Sequence, residues 1–316
     1  MRIGAAFLTY QQGDAADGWF ERAVAARAEE AGLHSVWFSE HHFSEDGYLP
    51  SAVPAMTDVL AHTRGIGVGV GVALLPFHDI PRLDAGLRVL ERFDRPVLYA
   101  AGIGYRDEEF DGFGLRRRDR GRLFEARLDE LATRLRDRGA TTELWVGAIA
   151  TAAVERAARF GLPVLLAPGT GDAEFLRRQD RYRQVAGVPG RFGMVRDVII
   201  GDDTADAEEA FRRLAVPMYR DYLHRMVVST ADGMVWGDVL GPADTDAYYA
   251  RMRANTLLGD AATIGREVER LAGLGVDLFV LRCWYPAATT AEGLAAVDRL
   301  AAAVAPLLPA AAKGSR

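Results

Sequence analysis

Short apolar runs alternate with longer amphipathic stretches along most of the chain. The runs read as strands at 2–8, 35–40, 66–75, 96–103, 143–148, 163–167, 192–200 and 277–283. Between them, spacings of three and four residues predict helices at 17–31, 52–62, 80–92, 119–138, 152–160, 172–186, 204–226 and 261–273, and a last one at about 290–305. Asp17, Thr151, Asp172, Thr204 and Thr289 stand where helix caps are expected. Several helices run into a glycine, as in "EEAG", "ARFG" and "LAGLG".

The strands are apolar at nearly every position, which implies burial on both faces, as in a parallel sheet. Repeated strand–helix units give either a doubly wound sheet or a (β/α)₈ barrel. Eight such units favour the TIM-type barrel, and the first strand is followed by "LTYQQGDAADG" rather than a dinucleotide-binding glycine fingerprint. Functional groups are then expected at the C-terminal ends of the strands. Two longer non-strand regions, 103–122 and 227–260, interrupt the pattern. The second reads as a lid-type insertion before the last βα unit. No interdomain linker is visible, so 1–316 is expected to form one domain, with 307–316 a disordered tail.

Charge and composition narrow the function. The net charge of -6 lacks the basic balance of a nucleic-acid binder. Cys283 is the single cysteine, which excludes an intrachain disulfide. The opening "MRIGAAFLTYQQG" shows no signal-peptide pattern, and no apolar stretch approaches the roughly 20 residues of a membrane span. A cytoplasmic enzyme is the expectation.

The chemistry-bearing residues gather at strand ends. "SEHHF" puts Glu40, His41 and His42 after the second strand. A histidine there can act as a general base, ligate a metal, or simply be a satisfied polar residue. Adjacent strand residues point to opposite faces and no second metal-type cluster is visible, so no metal site is expected. The third strand, "GVGVGVALL", has one face bare of side chains; it suits either tight packing or a flat ligand laid on backbone. "AAGIGYRDEEF" combines close-approach glycines with Tyr105 and Arg106, though "RDEEF" also fits a solvated helical turn. The basic run 116–122 is diluted by Asp119, Glu125 and Asp129 and reads as a solvated helix start. After the fifth strand, a helix N-terminus at Ala150 and Thr151 offers amides to a phosphate. "LRCWYP" places Trp284 and Tyr285 where aromatics can wall a pocket, with Cys283 as a packing residue.

Together these motifs resemble the bacterial luciferase-like flavin monooxygenase family. The similarity runs through "MRIGAAFLTYQ", "AEEAGLHSVWFSEHHF", "LLPFHDIPRL" with "GIGYRDEEFDGFG", "WVGAIATAAVERAARFGLPVLL" and "NTLLGDAATIGREVERLAGLGVDLFVLR", in that order. The resemblance implies a TIM barrel that binds reduced FMN at its C-terminal mouth and uses O₂ to oxygenate a small organic substrate. It also implies a separate flavin reductase, and a homodimer or a heterodimer with a paralogue. On it, His41 is the catalytic histidine and Glu40 its support. Gly71, Val72 and Ala73 underlie the flavin ring, with a cis peptide at Gly71-Val72. Gly102, Tyr105, Ala150 and Thr151 are the further cofactor contacts. From the residues themselves, His42, Trp236, Trp284 and Tyr285 are the expected substrate contacts.

The phosphate end departs from the family pattern. Where relatives often carry Ser, Thr or Arg, this chain has Ile103, Ala150, Ala152 and Ala153. Three readings follow: an FMN-dependent monooxygenase of secondary metabolism acting on a small apolar or aromatic molecule; a deazaflavin-dependent oxidoreductase; and a non-catalytic subunit that partners a catalytic paralogue.

Overall fold

A computed structural model describes residues 1–6, 19–45, 47–225, 227–230, 233–236 and 242–308. Seven strands follow one another with helices between them: β1 (Arg2–Ala6), β2 (Ser35–Phe38), β3 (Gly67–Leu74), β4 (Val97–Gly102), β5 (Glu143–Ala148), β6 (Val164–Leu166) and β7 (Phe192–Ile200). A hairpin, β8 (Val227–Thr230) and β9 (Gly233–Trp236), and the short β10 (Leu257–Gly259) precede the last barrel strand, β11 (Leu278–Arg282). β1 to β7 pair in sequence order, all parallel, and β11 bridges β7 and β1, so eight strands close on themselves. This is the expected (β/α)₈ barrel.

The helices are α1 (Trp19–Glu30), α2 (Ala52–His62), α3 (Ile80–Glu91), α4 (Asp107–Gly112), α5 (Arg120–Asp137), α6 (Thr151–Arg159), α7 (Asp172–Ala186), α8 (Thr204–Ala210), α9 (Val216–Arg225), α10 (Pro242–Ala254), α11 (Ala261–Gly273) and α12 (Thr290–Val304). A π-helical turn, Phe211–Ala215, joins α8 to α9 within the stretch predicted as one helix. Three expectations are corrected. The 103–122 region holds α4 and a 3₁₀ turn at Arg117–Asp119. The 227–260 region holds a hairpin, a helix and β10, which pairs with β7 through Leu257↔Val198. Among the caps, Thr289 is the N-cap it was expected to be, closing a capping box with Glu292. Thr151, Asp172 and Thr204 are instead first helical residues behind Ala150, Gly171 and Asp203, and of these three N-caps Asp203 alone bonds a helix amide. Asp17 and residues 309–316 lie outside the described residues.

Strand alternation sorts the core into two. Ile3, Val36, Val68, Tyr99, Val146 and Leu281 face the helices. Trp37, Leu98, Trp145, Leu165, Leu278 and Val280 fill the barrel, with Val72 and Val195 packed against them. Trp37 explains most of the glycine run. A methyl on Gly69 would sit 2.6 Å from its indole, and one on Gly4 2.6 Å from its Nε1. The indole N–H donates to Ser35 Oγ at 2.9 Å, so the buried ring is also satisfied. A methyl on Gly67 would meet Pro96 Cβ at 2.7 Å. Over most of β3, then, the bare face accommodates the chain's own side chains, which favours the tight-packing reading for Gly67 and Gly69. Only Gly71 and Val72, at its C-terminal end, are partly exposed.

Candidate active site

The end of β2 builds a buried polar cluster. Glu40 is 2% exposed, His41 9% and His42 8%. Glu40 Oε1 accepts the Leu74 N–H at 3.0 Å and lies 2.8 Å from His78 Nε2, which ties the end of β2 to the turn after β3. His78, scattered in sequence, therefore belongs to the cluster. The expectation that His41 and His42 would part to opposite faces fails in one respect: β2 has ended at Phe38, and both histidines meet Glu109 of α4. His41 Nδ1 is 3.1 Å from Glu109 Oε1, and the His42 backbone N–H donates to the same oxygen at 2.8 Å. The rings then diverge. His41 Nε2 is 3.3 Å from the Tyr105 hydroxyl, and its ring stands edge-on to Tyr48 and Tyr105. The His42 ring is edge-on to Phe77 and Phe113, with centroids 5.5 and 4.9 Å away.

Glu109 is fully buried. Burial alone would raise its pKa, but the contacts from the His41 ring and from the ring and backbone N–H of His42 outweigh that and lower it to about 2. Glu109 is thus an anion that orients both histidines. It was missed because "DEEF" reads as a solvated turn; the usable signal was that Glu109 stands beside Phe110, so one face of that turn turns inward.

The expected cis peptide is present at Gly71-Val72. Val72 turns into the barrel, where methyls on Gly102 and Gly147 would come within 2.4 and 2.3 Å of its Cγ atoms. At the phosphate end, Ala150 caps α6 without a side-chain bond and Thr151 is exposed. The charge that the sequence did not show there comes from α7. Arg178 is 5% exposed and donates through Nη2 to the Ile149 carbonyl, one residue before Ala150, while its Nη1 has no partner among the described residues. Glu174 is shared between Arg178 and Arg251, which leaves a net positive charge.

A second buried cluster is built by β7 and β11, the two strands that lead through β1 to β2. Arg282 Nε donates to Asp197 Oδ1, Tyr219 donates to Asp197 Oδ2 at 2.5 Å, and Arg282 Nη1 is 3.4 Å from the Tyr222 hydroxyl. Neither Asp197 nor Tyr219 was singled out in the sequence. The aromatics of "LRCWYP" turn out to pack. Trp284 lies 5.3 Å from Phe20 with Gly293 beneath it, between α1 and α12. Tyr285 donates to the Val198 and Arg282 carbonyls, both at 3.3 Å. The structure therefore does not gather Trp284 and Tyr285 with His41, and the Trp236 side chain lies outside the described residues. Burial lifts the Cys283 thiol to about 12, which leaves it unsuited to act as a nucleophile. Among the described residues no helix is long and apolar enough to cross a membrane.

The barrel and the strand-end cluster define a luciferase-like enzyme scaffold, and the sequence comparisons agree. The family model for luciferase-like monooxygenases matches residues 1–83 and 114–278, so the chain belongs to that family. It is 32% identical over 89 residues to the alkanal monooxygenase alpha chain of Photorhabdus luminescens; the match covers 27% of this chain and 24% of that protein. Such matches span only a minor part of the curated relatives' length. Among solved structures, monooxygenase RslO1 from Streptomyces bottropensis superposes with a TM-score of 0.76 at 20% identity, covering 98% of this chain and 100% of that one. The oxygenating constituent of 3,6-diketocamphane monooxygenase from Pseudomonas putida, solved with FMN, gives 0.74 at 16% identity, covering 98% and 100%. An F420-dependent secondary alcohol dehydrogenase gives 0.69 at 16% identity, covering 96% and 98%. At these identities the structures establish the fold alone. One of these structures of the same fold was solved with FMN and another with an F420-acetone adduct.

Proposed function

We propose that this chain is a flavin-dependent monooxygenase that uses reduced FMN and O₂ to oxygenate a small apolar or aromatic molecule. The observation that carries the reading is His41, whose Nδ1 is held by the anionic Glu109 while Nε2 faces Tyr105 at the C-terminal mouth of the barrel. An imidazole fixed in this way can take or return a proton at Nε2.

The residues present fit a flavin phosphate. Buried Arg178, whose Nη1 has no partner among the described residues, and the uncapped start of α6 supply a cation and free amides at one place. Arg178, Ala150 and Thr151 would hold the phosphate, and Gly71, Val72, Ala73, Gly102 and Tyr105 would border the ring. Reduced flavin, when bound, supplies the electrons that activate O₂. Glu40 braces the strand end through Leu74 and His78, and the His42 ring closes the apolar side with Phe77 and Phe113.

The test is anaerobic titration with reduced FMN, followed by oxygen-dependent turnover of candidate substrates. Saturable binding and turnover that both depend on the native site support the reading. A chain that binds reduced F420 and not reduced FMN is instead a deazaflavin oxidoreductase.

A further inference from the structure

We propose that Arg282 is the residue that positions the substrate, by donating a hydrogen bond from Nη2 to a neutral carbonyl oxygen. The inference rests on the reading of the mouth as the oxygenation site and adds what the second cluster does there.

Strand alternation places the side chain. Leu278 and Val280 fill the barrel, so Arg282 takes the same interior face at the C-terminal end of β11. Val195 puts Asp197 on the interior face of β7, and the register sets Asp197 beside Arg282. Both are nearly inaccessible, at 2% and 5% exposure. Burial alone would make the guanidinium easier to deprotonate, but Asp197 and Tyr222 outweigh that and hold it charged. Nε and Nη1 have partners, whereas Nη2 is buried and has none among the described residues. A buried guanidinium N–H left unpaired is costly, and an acceptor supplied by a ligand removes that cost.

The charge balance selects the acceptor. Asp197 already neutralises Arg282, and Arg196, the neighbouring cation on the outer face, feels Asp172 and Glu174 as well as Asp197. A carboxylate ligand would bring an uncompensated negative charge into a buried, balanced site. A ketone or aldehyde oxygen brings only the missing acceptor. Tyr222 and Tyr248 give the surroundings an aromatic character that suits the apolar remainder of such a molecule, since both hydroxyls are held un-ionised by burial.

Soaking crystals of the full chain with cyclohexanone, and separately with acetate, tests the assignment. The expected result is the cyclohexanone oxygen within hydrogen-bonding distance of Arg282 Nη2. Cyclohexanone absent from that position overturns the proposal, and acetate seated there in its place overturns the preference for a neutral carbonyl. The double variant Asp197→Leu with Arg282→Met removes both charges, so that neither is left buried alone. Its cyclohexanone affinity, read by ligand-observed NMR, should fall about tenfold or more; an unchanged affinity also overturns the proposal. Reduced FMN binding should persist in the double variant. If the native chain fails to bind reduced FMN, the flavin reading falls while the soaking result still decides the role of Arg282.

Discussion

His41 and Glu109, 68 residues apart in sequence, meet through Nδ1 and Oε1 at 3.1 Å. With Glu109 ionised, Nδ1 is the donor of that pair, which leaves Nε2 as the basic atom facing the Tyr105 hydroxyl. The same carboxylate oxygen holds the His42 N–H, so one buried anion sets the position of both histidines.

If His41 moves the proton, His41→Ala should lower turnover with reduced FMN by about 10²–10⁴-fold while reduced FMN binding stays close to native. Glu109→Gln should lower turnover less, because the imidazole remains but loses its charged partner. The double substitution should be no worse than His41→Ala, since both changes act through one group. Steady-state rates over the four proteins check this, and additive losses would contradict it.

Acid should unfold the native chain partly through Glu109. Its pKa is about 2 in the folded state against an ordinary 4.5. A depressed carboxylate contributes stability that is fully present above its unfolded pKa and is lost as pH falls toward 2. The contribution is on the order of 3 kcal/mol at neutral pH. Urea unfolding between about pH 5 and 3 should therefore show a steeper loss in the native chain than in Glu109→Gln.

Gly69 tests the packing account of β3. Gly69→Ala pushes a methyl to 2.6 Å from the fully buried Trp37 indole, which cannot retreat between Gly4 and the barrel wall. We expect destabilisation of about 1–3 kcal/mol, measured by denaturant unfolding. Adding a Trp37→Leu substitution should recover part of that loss.

Arg178 tests the phosphate end. Arg178→Ala removes the buried cation beside Ile149 and Ala150 and should weaken reduced FMN binding about tenfold or more. The same substitution should barely alter the affinity for reduced riboflavin, which has no phosphate. Equal losses for both ligands would indicate a general disturbance of the β5 and β6 ends.

The barrel was legible because each strand is apolar on both faces and each helix keeps its own period. Strands 143–148 and 192–200 and helices 52–62, 172–186 and 261–273 have the boundaries the pattern predicts. α4 and α10 were not legible: α4 is six residues long and acidic, and α10 carries its apolar residues on no single stripe. In the site, "EHH" was visible as a local cluster, but its partners His78, Tyr105 and Glu109 come from other strand ends. Arg282 was visible at the end of the last strand, but its partner Asp197 stands in an apolar run, and only the closure of β11 against β7 makes them a pair. The glycine run left packing and ligand readings both open because sequence shows that a face is bare and does not show that Trp37 will cover it.

Anaerobic titration of the purified chain with reduced FMN, followed by fluorescence, tests the central claim most directly. The account predicts saturable binding at a single site per chain, retained in His41→Ala and weakened in Arg178→Ala. Absence of any saturable binding by the native chain would contradict it.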